Sequence, residues 1–161
     1  MTIGLVVSDT SPIRVLHHLS QLQLLAEFFD EVLIPPAVAR ELEARSRFAS
    51  ISVAEVPKCR IEMPKDVAAI KQLEAELQRG EAEAIVLARE HDAALLIDER
   101  AGRLIARRLG ISHTGVLGLL VRAKQKGLIS DVLPLVLRAR DEVNFFVSDA
   151  VVDQVRRLAD E

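Results

Sequence analysis

One cysteine, no tryptophan and no tyrosine occur in this chain of 161 residues. A lone Cys59 excludes an internal disulfide and a cysteine-built zinc site, and it fits a reducing compartment. Apolar residues make up half the sequence but fall in short runs. None approaches the roughly 18 consecutive apolar residues of a membrane span. Met1 to Val7 leads straight into Ser8 and Asp9 with no basic segment or cleavage site, so a cytoplasmic protein with no membrane partner is expected. Glycine-rich signatures are missing too. The turn after the first apolar run is Asp9-Thr10-Ser11-Pro12, where a dinucleotide-binding enzyme needs Gly-x-Gly-x-x-Gly, and there is neither a P-loop nor a Gly-x-Ser-x-Gly elbow. His17, His18, His91 and His113 lack the His-x-x-x-His spacing of a zinc site.

Positive charge is also in short supply. A formal net charge of −3 argues against a protein that grips duplex nucleic acid through excess basic residues. Five phenylalanines are the whole aromatic complement, little material for stacking single-stranded bases. Contact with nucleic acid is therefore expected to run through phosphates. Arg100, Arg103, Arg107 and Arg108 lie on or near one face of a single helical stretch and form the main basic cluster.

What the chain does have is alternation of strand-like runs with helical patterns, the signature of βαβ units and a parallel sheet. The pattern predicts strands at Ile3 to Ser8, Glu31 to Ile34, Ala94 to Ile97 and Ile111 to His113. Helices are expected from Ser11-Pro12 to about Leu19, over Leu22 to Phe29, and from Ala37 to Arg45 behind Pro35-Pro36. Lys65 to Gln78 follows with a 3.6-residue apolar period, and Gly80 interrupts it. Glu81 to His91, the arginine helix ending at Gly110, Gly115 to Lys126, Leu133 to Arg140 and Ser148 to Ala159 complete the helices. Phe48 to Pro64 reads as loop with at most one edge strand, placed at the alternation Ile51 to Val56. A single domain over 1–161 is expected, helical from about 131.

Four acidic residues stand out against this frame. Asp9 and Asp98 each follow an apolar run at the carboxyl end of an expected strand, where open α/β sheets bind ligands. Glu41 sits one turn into a helix, and Glu81 opens another. Crowded carboxylates raise one another's pKa, so a cluster ionised near neutral pH calls for a cation, with Mg²⁺ or Mn²⁺ the natural choice. Each acid has a plainer reading. Asp9 is also a natural helix N-cap, Glu41 a solvated helix residue, and Glu81 with Glu83 a complement to the helix dipole. A receiver domain uses strand-end carboxylates as well, but His113-Thr114 stands where it would place a lysine.

Val6 to Pro12, Pro35 to Leu42, Gly80 to Ile85 and Leu95 to Arg100 together resemble the successive blocks of a PIN domain, closest to its VapC-like prokaryotic toxin branch and that branch's uncharacterised relatives. The likeness covers nearly the whole chain. It implies a three-layer α/β fold with a mostly parallel central sheet flanked by helices. It further implies a Mg²⁺ or Mn²⁺ site and cleavage of single-stranded RNA, with an antitoxin protein and a second copy of the chain as partners. Carried over by position, Asp9, Glu41, Glu81 and Asp98 match the family's catalytic acids; Asp9 and Asp98 are the expected metal ligands, with Glu81 and Glu99 as further candidates. Two positions stay open: Glu99 shares or replaces the role of Asp98, and Glu83 competes with Glu81. Thr10, Ser11, Arg100 and Arg103 are the expected contacts to the RNA backbone. The competing reading is a non-catalytic interaction module on the same fold, with Val143, Phe145, Phe146 and Val151 as apolar contact positions.

Overall fold

A computed structural model describes residues 4–161. Its sheet has five strands, β1 (Leu5–Ser8), β2 (Glu31–Ile34), β3 (Cys59–Ile61), β4 (Ala94–Leu96) and β5 (His113–Thr114), in the order β3-β2-β1-β4-β5. Every pairing among them is parallel. Ile3, the expected first residue of β1, lies outside the described residues. The helices are α1 (Thr10–His18), α2 (Leu24–Phe28), α3 (Pro36–Glu43), α4 (Val67–Leu73), α5 (Arg79–Glu90), α6 (Arg100–Arg108), α7 (Val116–Gln125), α8 (Leu133–Val143) and α9 (Asp149–Leu158).

Successive side chains of a strand point to opposite faces, and the core divides accordingly. Val6, Val32, Ile34 and Leu96 enter one cluster with Ile13, Leu16, Leu119, Leu120 and Val136 from α1, α7 and α8. Val7, Leu33 and Leu95, with Ile97 just past β4, enter another with Ile85 and Ile105 from α5 and α6. Two buried faces around one sheet give the three layers that the family resemblance implies.

The chain leaves β1 toward β2 and β3, then crosses back to lay β4 on the opposite side of β1. That reversal opens a crevice at the carboxyl ends of β1 and β4, the place where such sheets bind ligands. Asp9 and Asp98 stand at its two lips.

Several boundaries differ from expectation, for local reasons. The alternation at Ile51 to Val56 is not a strand. Ile51 and Val56 are buried at the ends of a 3₁₀ turn over Val53–Glu55. Ser52 and Glu55 close it with a reciprocal capping box, and the edge strand forms later, at β3. The helix expected over Lys65 to Gln78 ends at Leu73. It is capped at its start by the Asp66 carboxylate, which accepts the Ala69 N–H at 3.0 Å. Leu77 then turns into the core and Gln78 is extended, so Gly80 is the second residue of α5 rather than a break before it. At the other end, α8 runs on to Val143 and is stopped by Asn144 in the left-handed conformation, φ 54°.

Candidate metal centre

The backbone N–H of Asp9 donates to the Leu96 carbonyl at 2.9 Å, so the first residue past β1 is tied to the last residue of β4. Asp9 occupies the N-cap position of α1, yet its carboxylate makes no capping hydrogen bond. The plain reading of this residue as a helix cap therefore does not describe it. Its side chain is buried at the head of the crevice. Across from it, Asp98 Oδ1 accepts the N–H of Val116 at 3.0 Å, at the start of α7, and Oδ2 is buried without any partner. From α3, Glu41 reaches in with Oε2 accepting the Thr10 hydroxyl at 2.6 Å. Glu81 enters from the first turn of α5, and Glu99 from the N-cap of α6.

All five carboxylates line one cleft of about 560 Å³. Burial, with Glu81, Glu41 and Glu99 adding to it and the Thr10 backbone amide opposing it, pushes Asp9 up to about 7. Burial and then the charges of Glu99 and Glu41 push Glu81 up to about 7. Asp98 rises to about 6, again mainly by burial, with Glu99 raising it and the Val116 amide and Arg103 holding it back. Near neutral pH these groups are poised between sharing protons and accepting a cation.

The donors suit a hard divalent ion. All are carboxylate oxygens, one of them buried and unpaired, and each neighbour destabilises the others' ionised form until a positive charge is added. Among the described residues, no three Asp, Glu, His or Cys side chains stand at the spacing of an all-protein metal cage. Mg²⁺ does not require one, because it keeps several waters and takes only one or two carboxylates directly.

Three glycines make room for this arrangement, and their pattern in the sequence carries no signal of it. A Cβ on Gly80 would lie 2.7 Å from Glu41 Oε1, and one on Gly102 would lie 2.5 Å from Ile97 Cδ1 and 3.2 Å from Glu81 Oε2. On Gly115 it would collide with Asp98 Oδ1. Glu41, Glu81 and Asp98 thus each lean on backbone that has no side chain.

The other expected site residues separate. Thr10 and Ser11 line the cleft, but the Thr10 hydroxyl is already engaged with Glu41. Arg100 lines it as well, whereas Arg103 bears on the site through its charge near Asp98. Glu83 does not reach the cleft. It is buried, accepts the Ala37 N–H at 3.1 Å and Arg79 Nε at 2.5 Å, and ties α5 to the start of α3. That leaves Glu81 as the member of the pair on the site. Sequence reasoning missed Arg14, Arg47, Phe48 and Asn144, which also line the cleft, and it read Phe145 and Phe146, which join them there, only as apolar contact positions. They come from the middle of α1, the loop after α3 and the turn after α8, and nothing in their local pattern joins them. Val143, Phe145 and Val151, read from sequence as contact positions, pack partly buried against the core.

A family model described as a PIN domain matches residues 5–161. Among solved structures, a PilT N-terminus domain protein from the hyperthermophilic archaeon Sulfolobus solfataricus P2 is similar over 75% of this chain and 93% of its own, at 17% identity and a TM-score of 0.47. No curated protein matches.

Proposed function

The chain belongs to the PIN-domain family, a fold generally used by metal-dependent nucleases, and from that premise we propose that it is a Mg²⁺- or Mn²⁺-dependent endoribonuclease acting on single-stranded RNA. The observation that carries the reading is the convergence of Asp9, Glu41, Glu81, Asp98 and Glu99 on one cleft at the switch point of the sheet, with Asp98 Oδ2 buried and unpaired. Asp9 and Asp98 are the residues that would hold the ion, with Glu81 and Glu99 close enough in charge to contribute. When bound, the ion supplies Lewis acidity toward the scissile phosphate and lowers the pKa of a water at the site.

The protein's own contribution is orientation and proton handling. Glu41, fixed by Thr10, and Glu81, titrating near neutrality, are placed to orient the attacking water and take its proton. Ser11 and the amides at the start of α1 offer donors to a phosphate oxygen. Arg100 and Arg103 approach the same region from α6 and steer the RNA backbone. The substrate is a flexible strand, because the scissile phosphate must descend into a cleft rather than lie along a surface.

Within the family we place the chain in the VapC-like branch, as the toxin of a toxin and antitoxin pair that works in the cytoplasm as a homodimer and forms a single domain. No helix among the described residues is long and apolar enough to cross a membrane, in keeping with that setting. The test is cleavage of single-stranded RNA in Mg²⁺ or Mn²⁺ by the parent and by the Asp9→Asn, Asp98→Asn double variant. The parent should cut and the double variant should not; equal rates would remove the catalytic assignment. If the parent neither binds divalent ions nor cuts any single-stranded RNA, the interaction-module reading takes its place.

A further inference from the structure

The chain has only five phenylalanines, and three of them, Phe48, Phe145 and Phe146, line the acidic cleft. Phe146 is 92% exposed, which is the least buried any large apolar side chain becomes among the described residues. Its exposure is imposed by its neighbours. Asn144 ends α8 with φ 54°, and the Phe145 N–H then donates to the Ala139 carbonyl at 3.1 Å while the Phe145 ring packs on the core. Val147 is buried at 8% exposure on the other side. With both flanking residues anchored inward, the ring between them is held in water at the cleft rim.

The same cleft wall carries Arg14, Arg47 and Phe48. Arg14 and Arg47 place their guanidinium carbons 5.1 and 4.9 Å from the Phe48 centroid. These three residues, with Asn144, also line a second cavity of about 320 Å³, so the trough continues past the carboxylates toward His17 and His18. Phe48, Phe145 and Phe146 share this wall with Arg14 and Arg47, aromatic rings interleaved with cations rather than one continuous apolar patch. A nucleotide next to a metal-bound phosphate presents the complementary pair: an anion for the arginines and a flat π-face for the ring.

We propose that Phe146, Arg47 and Arg14 form a nucleotide subsite beside the metal centre, in which Phe146 stacks on the base adjoining the scissile phosphate and the two arginines hold the next phosphate. The inference rests on the nuclease reading for the direction of the strand. It adds a base contact to the phosphate contacts expected from the sequence.

Equilibrium binding tests it without cleavage. The full chain, in EDTA at low salt, is titrated with a short fluorescein-labelled oligoadenylate and with the same oligonucleotide carrying abasic sites. Base stacking is lost on Phe146→Ala, so binding should weaken roughly tenfold (about 1.4 kcal/mol), and the variant should no longer distinguish the two oligonucleotides. Arg47→Gln should weaken both oligonucleotides alike and reduce the dependence on salt. Both side chains are exposed, so neither change threatens the fold. Undiminished binding by Phe146→Ala, or an unchanged preference for bases, overturns the subsite. So does a parent that binds no oligonucleotide but self-associates through Phe146, which would assign the ring to a second copy of the chain. A parent that binds through Phe146 yet cuts no RNA in Mg²⁺ or Mn²⁺ leaves the subsite standing and removes the nuclease reading.

Discussion

Asp9→Asn should make the metal-free protein more stable at pH 8, although it removes a residue from the heart of the site. The unfolded chain ionises this carboxyl near its ordinary value of 3.8, and the fold pushes it up to about 7. Between those values the folded state holds a proton that the unfolded state has lost, so stability falls as pH rises and the full cost is reached above about 7. The rise from 3.8 to about 7 gives a cost on the order of 4 kcal/mol at pH 8. Asparagine is isosteric and uncharged, and it forfeits part of that gain because the Thr10 amide loses an ionised acceptor. A net stabilisation of about 1–3 kcal/mol remains, and at roughly 2–4 °C per kcal/mol for a chain of this size the melting temperature should rise by several degrees. At pH 5 only about 1.6 kcal/mol of that cost has accrued, so the variant's advantage should vanish or reverse. Excess Mg²⁺ or Mn²⁺ should reverse the order at pH 8, since ligand at a hundred times its Kd adds about 2.7 kcal/mol to the parent. Melting curves by circular dichroism, from pH 5 to 8, in EDTA and in Mg²⁺, make the comparison. If the parent in EDTA fails to gain stability on acidification, or the variant is the less stable of the two at pH 8, the electrostatic account of the cleft is wrong.

Gly115→Ala should cost the metal centre more than the fold, because the new Cβ falls on Asp98 Oδ1, the oxygen that accepts the Val116 N–H. A drop in Mn²⁺ affinity of about 10-fold or more, read by calorimetry, with helix content retained, is the expected result; unchanged affinity would show that Asp98 lies outside the ion's reach. Glu81→Gln and Glu83→Gln should part company. Glu83 is a buried, twice-bonded carboxylate holding α5 to α3, so its amide should lower stability by about 1–3 kcal/mol at pH 8 with or without metal. Glu81→Gln relieves repulsion within the cleft and should leave metal-free stability equal or higher while slowing RNA cleavage.

Much of the fold was legible in the chain because burial repeats locally. Apolar runs of strand length, bounded by Ser8-Asp9, Pro35-Pro36 and Gly110, can be read one at a time, and their alternation with 3.6-period segments sets a parallel sheet. Strand ends followed by Asp9 and Asp98 likewise marked two of the acids that line the cleft. Errors fell where a local cap or a buried side chain outweighed the apolar spacing. The Ser52 and Glu55 capping box turned a strand-like alternation into a 3₁₀ turn, and Leu77 folding into the core ended α4 early.

The chain by itself determined which acids stand at the ends of its first and fourth strands, since that follows from neighbours in sequence. Only the tertiary structure decided what faces them. Glu81 and Glu83 are two residues apart on one helix, and the packing of α5 against α3 sends the first to the cleft and the second to Ala37 and Arg79. Gly80, Gly102 and Gly115 matter because of carboxylates on other elements, and Phe146 stands at the rim because Asn144 and Val147 anchor the turn after α8. Contacts across such separations depend on how whole layers close over the sheet, and no local periodicity encodes that closure.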